Sequence, residues 1–359
     1  MVKRIAAAAA AVFMSACLFA YNPPAGGEYL FGISSPFQLT SAQSSAGGAF
    51  FDVTPASQVF NPALQAFEQR IMLDAGYTML QNSDDPEHSF GYGIQGGMLF
   101  PGRWGVASGE VFVLNNPFYE MQTGKSLNLK LSAAKDVTDY LAVGMGLGAG
   151  YFWGYDKSWM AGVDLGVLYN YGDAGIFEDV RFGVSLLNLG KTFGGTKVLG
   201  IYHDKSSGMF PGIATLRAGI AGTFLHAGDF KGAASFDVAV PTAQNCILDA
   251  GVQFMYRDFV KLSVAEEYNV REVIKSSKNW LPSIGLSFLF KFNSKDNAFM
   301  KRHGWQESEV QVGGAWKRFY DHTNAMSGGL ILKLGLEDTE PPEITLGEPN
   351  QPEKEGEAK

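Results

Sequence analysis

The sequence predicts an all-β protein, a transmembrane antiparallel β-barrel of about fourteen strands. Three observations lead there. From residue 69 to 336, segments of about ten residues alternate apolar with polar or small side chains, the period-two pattern of strands with two unlike faces. The chain is apolar and aromatic but poor in charge: 46% hydrophobic, 13% aromatic and 18% charged, with 44 glycines in 359 residues, where ordinary soluble domains carry roughly 25% charged residues. Mean hydropathy is only −0.02, and beyond residue 20 there is no uncharged apolar run of the ~18 residues that a membrane helix needs.

The elements follow in chain order. Residues 1–20 read as an export signal: Lys3-Arg4 is a positive start, and Ile5 to Ala16 is an apolar stretch too short to span a bilayer. Cleavage after Ala20 fits. Met14-Ser15-Ala16-Cys17 also reads as a loose lipidation signal on Cys17. The other cysteine, Cys246, reads as an inert thiol in a strand or loop. Residues 21–68 are rich in Gly, Ala, Ser and Phe and show no strand-length alternation; Asn61-Pro62-Ala63 begins like a helix, with Asn as cap and Pro in the first turn. Fourteen strands are then expected at about 69–80, 89–100, 104–114, 125–134, 140–152, 159–171, 179–190, 213–225, 230–240, 246–257, 259–268, 281–292, 307–319 and 325–336. Residues 337–359 hold four prolines, seven Glu and one Asp against two Lys, and should be disordered. Of the net charge of −8, that tail carries −6 and Lys3-Arg4 carry +2. The remaining −4 on 21–336 excludes a basic footprint for nucleic acid.

The mid-strand charges test the barrel. Asp74, Lys130, Asp164, Arg181, Arg217, Asp237, Asp249, Lys261, Lys291 and Lys333 all fall on the phase opposite the bulky apolar residues. Fourteen apolar faces would need a very large core if buried, whereas lipid accepts them directly, and a charge facing lipid near mid-bilayer costs roughly 2–4 kcal/mol. Aromatics gather toward strand ends, among them Tyr77, Phe90, Trp104, Tyr140, Tyr151, Trp159, Tyr171, Tyr256 and Trp280, as interfacial girdles do. An even strand number places both ends of the barrel in the periplasm. The outer loops are then 81–88, 115–124, 154–158, 191–212, 241–245, 269–280 and 320–324, and the inner turns 101–103, 135–139, 172–178, 226–229, Asp258 and 293–306.

Catalytic and cofactor motifs fail on context. Gly91-Tyr92-Gly93-Ile94-Gln95-Gly96 and Gly144-Met145-Gly146-Leu147-Gly148-Ala149 match the dinucleotide fingerprint, but strand residues follow where a helix N-terminus must hold the pyrophosphate. Gly144, Gly146, Gly148 and Gly150 instead share the lumen face, where a missing side chain leaves room. His88, His203, His226, His303 and His322 fall in loops or turns without metal spacing, and His203-Asp204-Lys205-Ser206 is a string of loop neighbours rather than a triad. The reading is therefore of a non-enzyme with no metal or other cofactor.

Phe51-Asp52-Val53-Thr54-Pro55-Ala56-Ser57-Gln58-Val59-Phe60-Asn61-Pro62-Ala63-Leu64, placed just before the first barrel strand, resembles the N-terminal hatch of the FadL-like long-chain fatty-acid outer-membrane transporters. Leu186-Leu187-Asn188-Leu189-Gly190 looks like the related PorV/PorQ-type barrels, and the whole chain is most similar to a spirochaete branch of this group. The resemblance implies a monomeric fourteen-stranded barrel in the cell outer membrane, with residues 21–68 as hatch, Asn61, Pro62 and Ala63 among them, and 69–336 as barrel; Asn61 and Pro62 should fix where the chain enters the first strand. It implies passive uptake of a hydrophobic ligand, such as a long-chain fatty acid. For that ligand the loop 191–212 offers Phe193, Tyr202 and Phe210 with Lys191, Lys197 and Lys205; Phe118 and Tyr119 would face them. Arg181, Arg217 and Lys130 are the lumen-phase cations suited to a carboxylate, unless the arginines pair with Asp164 or Asp237 across the lumen. Two rivals remain: a PorV-type structural or interaction barrel, and a periplasmic β protein anchored through Cys17.

Overall fold

The computed structural model describes residues 28, 30–40, 42–82, 90–116, 124–153, 157–194, 209–274, 280–293, 305, 307–319 and 323–335. The expected export signal, acidic tail, Phe118, Tyr119, Tyr202, four of the five histidines and most of the outer loops lie outside these residues.

Among the described residues sixteen strands form, fourteen of them where the alternation is strongest. The first seven are β1 (Ile71–Asn82), β2 (Phe90–Gly102), β3 (Gly105–Asn116), β4 (Gly124–Thr138), β5 (Leu141–Trp153), β6 (Ser158–Ala174) and β7 (Phe177–Lys191). Two short strands follow, β8 (Phe193–Gly194) and β9 (Met209–Phe210). The remainder are β10 (Thr215–Ala227), β11 (Phe230–Val240), β12 (Ile247–Tyr256), β13 (Val260–Asn269), β14 (Ser283–Asn293), β15 (Glu307–Phe319) and β16 (Thr323–Leu334). All except β8 and β9 close into one antiparallel barrel, in which β1 pairs with β16 from Ile71 opposite Leu334 to Asn82 opposite Thr323. Closure satisfies every wall strand on both sides, so no strand edge is left to lipid.

The fourteen wall strands are those read from the sequence, with ends within four residues of the expected positions. The largest extensions are at the ends of β4 and β6, where register shifts near Asp136 and Gly172 let the ladders continue past the expected turns. The separate pair β8–β9 was not expected; Phe193 pairs with Phe210 inside the segment read as a plain loop. Two- or three-residue turns join β2 to β3, β4 to β5, β6 to β7, β10 to β11 and β12 to β13, and these define a turn end opposite a loop end. The sixth connection at the turn end, between Asn293 and Glu307, is long as expected.

The two faces of the wall differ as the alternation requires. In β1, Leu73, Tyr77 and their neighbours on that phase point out, while Met72, Asp74, Gly76, Thr78 and Leu80 are buried inside. Leu165 is 44% exposed on the outer face of β6, and adjacent Asp164 is 2% exposed. Nine of the ten mid-strand charges are buried or half-buried toward the lumen; Lys291, near the turn end of β14, reaches solvent. Trp104, Tyr140, Tyr171 and Tyr256 are exposed near the turn end, and Tyr151, Trp159 and Trp280 near the loop end. The two glycine motifs run within β2 and β5 with no helix after them, which removes the dinucleotide reading. His226 lies at the end of β10 rather than in a turn.

This phase separation has a measurable consequence. Leu165→Arg places a charge on the outer face at mid-strand, at a cost of about 2–4 kcal/mol, and should abolish the heat-modifiable gel mobility of a folded barrel. Lys333→Gln, on the inner phase, should leave that mobility intact. Equal damage from both changes would remove the barrel reading.

Candidate functional site

The lumen is occupied by the chain's own N-terminal segment. Glu28, near the loop end, accepts hydrogen bonds from Asn245 and Asn269. The chain then descends through a short helix α1 (Pro36–Leu39) and two 3-10 helices, Pro55–Val59 and Pro62–Phe67, and reaches the turn end at Arg70. Asn61 caps the last of these: its Oδ1 accepts from Ala63 N at 2.9 Å, as Asn before Pro should. Its Nδ2 donates to Ser45 O at 2.8 Å and to Val167 O at 2.9 Å, so the cap also ties the segment to itself and to the wall.

The wall makes room by omitting side chains. A Cβ on Gly144 would collide with the Pro62–Ala63 peptide, one on Gly166 with Asn61 Oδ1, and one on Gly183 with Ser45 O. Gly146 and Gly148 face Asp164 and Lys130 instead, and Gly150 faces Phe193, so the glycine row of β5 serves three different neighbours.

Most of the inward charges have an ionic partner in place, whereas Asp74 accepts from Gln95 Nε2 at 2.6 Å. Lys130 Nζ is 2.5 Å from Asp164 Oδ2, and both side chains are at least nine-tenths buried. Arg217 bonds Asp237 through Nε and lies 2.8 Å from Asp249 through Nη2. Arg181 pairs with Asp179 and donates from Nη2 to Gly48 O and Ala49 O. Lys261 pairs with Asp52, and Ser45 Oγ donates to Asp237 Oδ1 at 2.6 Å. The segment's phenylalanines cap the same cations: Phe31 lies 4.8 Å from Lys130, Phe51 5.1 Å from Arg181, and Phe60 4.6 Å from Arg217. Such contacts strengthen once both partners are out of water.

The sequence reading offered two roles for the arginines. Arg217 takes the internal one, but along the wall rather than across the lumen: Asp237 is on the adjoining strand β11 and Asp249 on β12. Arg181 is held by Asp179 and segment carbonyls, and it is Lys130 that pairs with Asp164. Asn61, Pro62 and Ala63 lie against β5 and β6, and just before β1 Arg70 bonds both oxygens of Glu68 and, at 2.9 Å, Glu309 of β15. Burial alone would lower the Arg70 pKa, but these two carboxylates raise it above its ordinary value. The stacking of Phe31, Phe51 and Phe60 was missed, although a Phe-rich segment preceding a barrel with inward cations carried the signal.

The loop end of the lumen is of different character. Phe152, Phe193 and Phe210 pack with ring centroids 5.6–5.8 Å apart, all fully buried. Leu30 and Ile33 of the N-terminal segment and Leu80, Phe112, Leu114, Met160 and Phe319 of the wall complete the cluster. Two aromatics singled out in the sequence, Phe193 and Phe210, thus meet, and each does so through the unexpected β8–β9 pair. Lys191 does not join them: its Nζ lies 3.9 Å over Trp159 on the outside of the barrel. Among the described residues no His, Cys, Asp and Glu cluster is suited to a metal ion.

No protein-family model and no curated protein matches the sequence. Solved structures do. The CymD monoaromatic hydrocarbon channel is 12% identical, with a TM-score of 0.50 over 84% of this chain and 97% of that one. A deltaS2 mutant of the TodX monoaromatic hydrocarbon channel is 10% identical, with a TM-score of 0.51 over 83% of this chain and 99% of that one. A Pseudomonas aeruginosa FadL homologue aligns over 88% of this chain and 98% of its own at 10% identity and a TM-score of 0.45. At these identities the first two establish a shared fold: the closed all-β barrel.

Two outcomes test the lumen. Arg217→Ala leaves Asp237 and Asp249 without their cation and should cost about 3–5 kcal/mol, seen as a lower thermal midpoint of the detergent-solubilised barrel; an unchanged midpoint would show that the pairing contributes little. Deleting residues 40–60 should raise single-channel conductance in planar bilayers while heat-modifiability persists. Unchanged conductance would mean that the segment does not obstruct the pore.

Proposed function

We propose that this chain is an outer-membrane barrel for passive uptake of hydrophobic small molecules, with residues 21–68 acting as its hatch. The observation that carries the reading is the apolar cluster at the loop end. A polar-solute pore has a polar, wet lumen, whereas here Phe152, Phe193 and Phe210 line the inside of the wall beneath the outer loops. A hydrophobic solute entering there exchanges water for aromatic surface, a gain of ~0.8 kcal/mol per buried methylene. Leu30 and Ile33 occupy that surface now, so the ligand competes with the hatch for the same contacts. The ionic and cation–π contacts deeper in the lumen hold the rest of the hatch across the path of polar solutes.

The similar solved structures support the reading through fold, since two carry the description of monoaromatic hydrocarbon channel. Long-chain fatty acids, compact aromatics and other apolar solutes all satisfy the cluster's chemistry; a fatty acid remains the ligand suggested by the resemblance in the sequence. Placement in the outer membrane follows from the export signal and the lipid-facing wall, and relation to the spirochaete branch rests on sequence resemblance. The PorV-type alternative finds its best support in Leu186-Leu187-Asn188-Leu189-Gly190. There Asn188 adopts φ +57° and its backbone N–H donates to Asp164 Oδ1 at 2.6 Å, a bulge in the β6–β7 ladder.

Purified protein should bind a long-chain fatty acid or an alkylbenzene saturably, and Phe193→Ala should weaken binding by about tenfold, the equivalent of about 1.4 kcal/mol. If wild-type protein binds no hydrophobic solute saturably, the interaction barrel becomes the better reading.

A further inference from the structure

The loop-end cluster encloses a buried amide. Strand register sets Phe112 of β3, Asn128 of β4, Gly150 of β5 and Met160 of β6 side by side in one row of the wall. Phe112 and Met160 belong to the apolar cluster, and Asn128, between them, is 1% exposed. A buried side-chain amide normally satisfies its oxygen as well as its nitrogen. Here the nitrogen is paired: Asn128 Nδ2 donates to Ser126 Oγ at 2.9 Å, one row nearer the loop end. Among the described residues nothing donates to Asn128 Oδ1.

That oxygen lies against the aromatic cluster. A Cβ on Gly150 would stand 2.5 Å from Asn128 Oδ1, 2.8 Å from Phe193 Cζ and 2.9 Å from Met160 Cγ. The amide oxygen, the ring edge and the thioether side chain therefore border one notch, which exists because β5 has glycine there. The N-terminal segment passes over this stretch of β4. Its Phe31 lies 4.8 Å from Lys130, two residues along, and its Leu30 and Ile33 join the cluster. Those three side chains carry no donor, so they cover the site without pairing the oxygen. Lys130, the adjoining cation, is held by Asp164 Oδ2 at 2.5 Å.

We infer that the loop-end site takes an uncharged hydrophobic molecule bearing a hydroxyl or N–H, which donates to Asn128 Oδ1 while the apolar body lies against Phe152, Phe193 and Phe210. The inference rests on the uptake reading and narrows its ligand class. A hydrocarbon covers the same rings but leaves the amide oxygen unpaired, as Leu30 and Ile33 do. A carboxylate sets its lone pairs against that oxygen, and the charge of Lys130 is already matched by Asp164. A donor-bearing ligand replaces apolar contacts of the segment and adds one hydrogen bond that the segment lacks. Displacement of Leu30 and Ile33 is therefore favoured by the ligand's polar group as well as by its apolar area. A site with a buried acceptor of this kind discriminates against analogues without the matching donor more sharply than apolar surface alone does.

Three matched probes test this on the full chain in nanodiscs, with empty nanodiscs as the reference for lipid partition: 4-ethylphenol, its methyl ether 4-ethylanisole, and the hydrocarbon 4-ethyltoluene. Equilibrium dialysis gives each affinity for the wild type, Asn128→Leu and Asn128→Ala, the fold of each variant being checked by heat-modifiable mobility. The ratio of phenol to hydrocarbon affinity should fall about tenfold in either variant that folds. The ratio of ether to hydrocarbon affinity should stay level, because the ether has no donor. A merely structural role for Asn128 would weaken all three probes together and leave both ratios unchanged, which overturns the inference. A fall in the ether ratio equal to that of the phenol also overturns it, since Asn128 would then be offering its N–H. Should neither variant fold, Ser126→Ala, which releases Asn128 Nδ2, gives the same comparison: a lower phenol ratio supports the inference and an unchanged one overturns it. Saturable hydrocarbon binding with unchanged ratios leaves the uptake reading standing; no saturable binding of any probe removes both.

Discussion

A wall that meets hydrocarbon on its outer face can carry no charge there, and the rest of this structure depends on that constraint. Side chains alternate across a strand, so a charge admitted to the middle of the wall is forced inward, while one at a strand end, such as Lys191, can stand outside. The inward side chains are mostly buried against the N-terminal segment, and a charge in such a place needs a partner. The lumen therefore becomes a set of compensated ions: Lys130 with Asp164, Arg217 with Asp237 and Asp249, Lys261 with Asp52. The N-terminal segment completes the compensation rather than merely filling volume. Its Asp52 supplies a carboxylate to Lys261, its Ser45 hydroxyl donates to Asp237, its carbonyls at Gly48 and Ala49 accept from Arg181, and its phenylalanines cover the cation faces.

The same constraint accounts for the division of the lumen along its axis. In the middle, where the wall supplies charge from both directions, the segment is locked by polar contacts and by glycines that admit its backbone. At the loop end one group of inward positions is Phe, Leu and Met, which the segment meets with Leu30 and Ile33, while Asn245 and Asn269 hold its Glu28. Contacts of that kind are non-directional, so one apolar partner can replace another with little loss of specificity in the wall. At the turn end Arg70 anchors the chain while Lys291 and Lys333 stand at longer range from the same acids, and a cavity remains.

How much of this the sequence carried depends on the range of the determinant. Strand order, strand number and the outward phase were legible because lipid imposes them residue by residue: Leu165 must be apolar and Asp164 must not face out, whatever else the chain does. The Asn61 cap was legible because a cap acts over two or three residues. The β4 and β6 ends were misread by three or four residues because their ladders shift register, and a bulge is set by the neighbouring strand. The β8–β9 pair was missed because a two-residue strand has no alternation to read.

The candidate ligand residues show the boundary most clearly. From the sequence alone, Arg181, Arg217 and Lys130 were inward cations, and inward cations suit either a ligand's carboxylate or the protein's own. Only the tertiary structure chose, because the partners come from far along the chain: Asp164 lies 34 residues from Lys130, Asp249 32 residues from Arg217, and Asp237 192 residues from the Ser45 that also binds it. Phe193 and Phe210 were placed in one loop by the sequence and brought into contact with Phe152 only by the closed wall. The sequence determined which side of the wall each residue faces, because that is a local contest between lipid and water. What each inward residue touches was decided by closure, because fourteen strands and the segment inside them must satisfy one another's charges in a space that no single strand encodes.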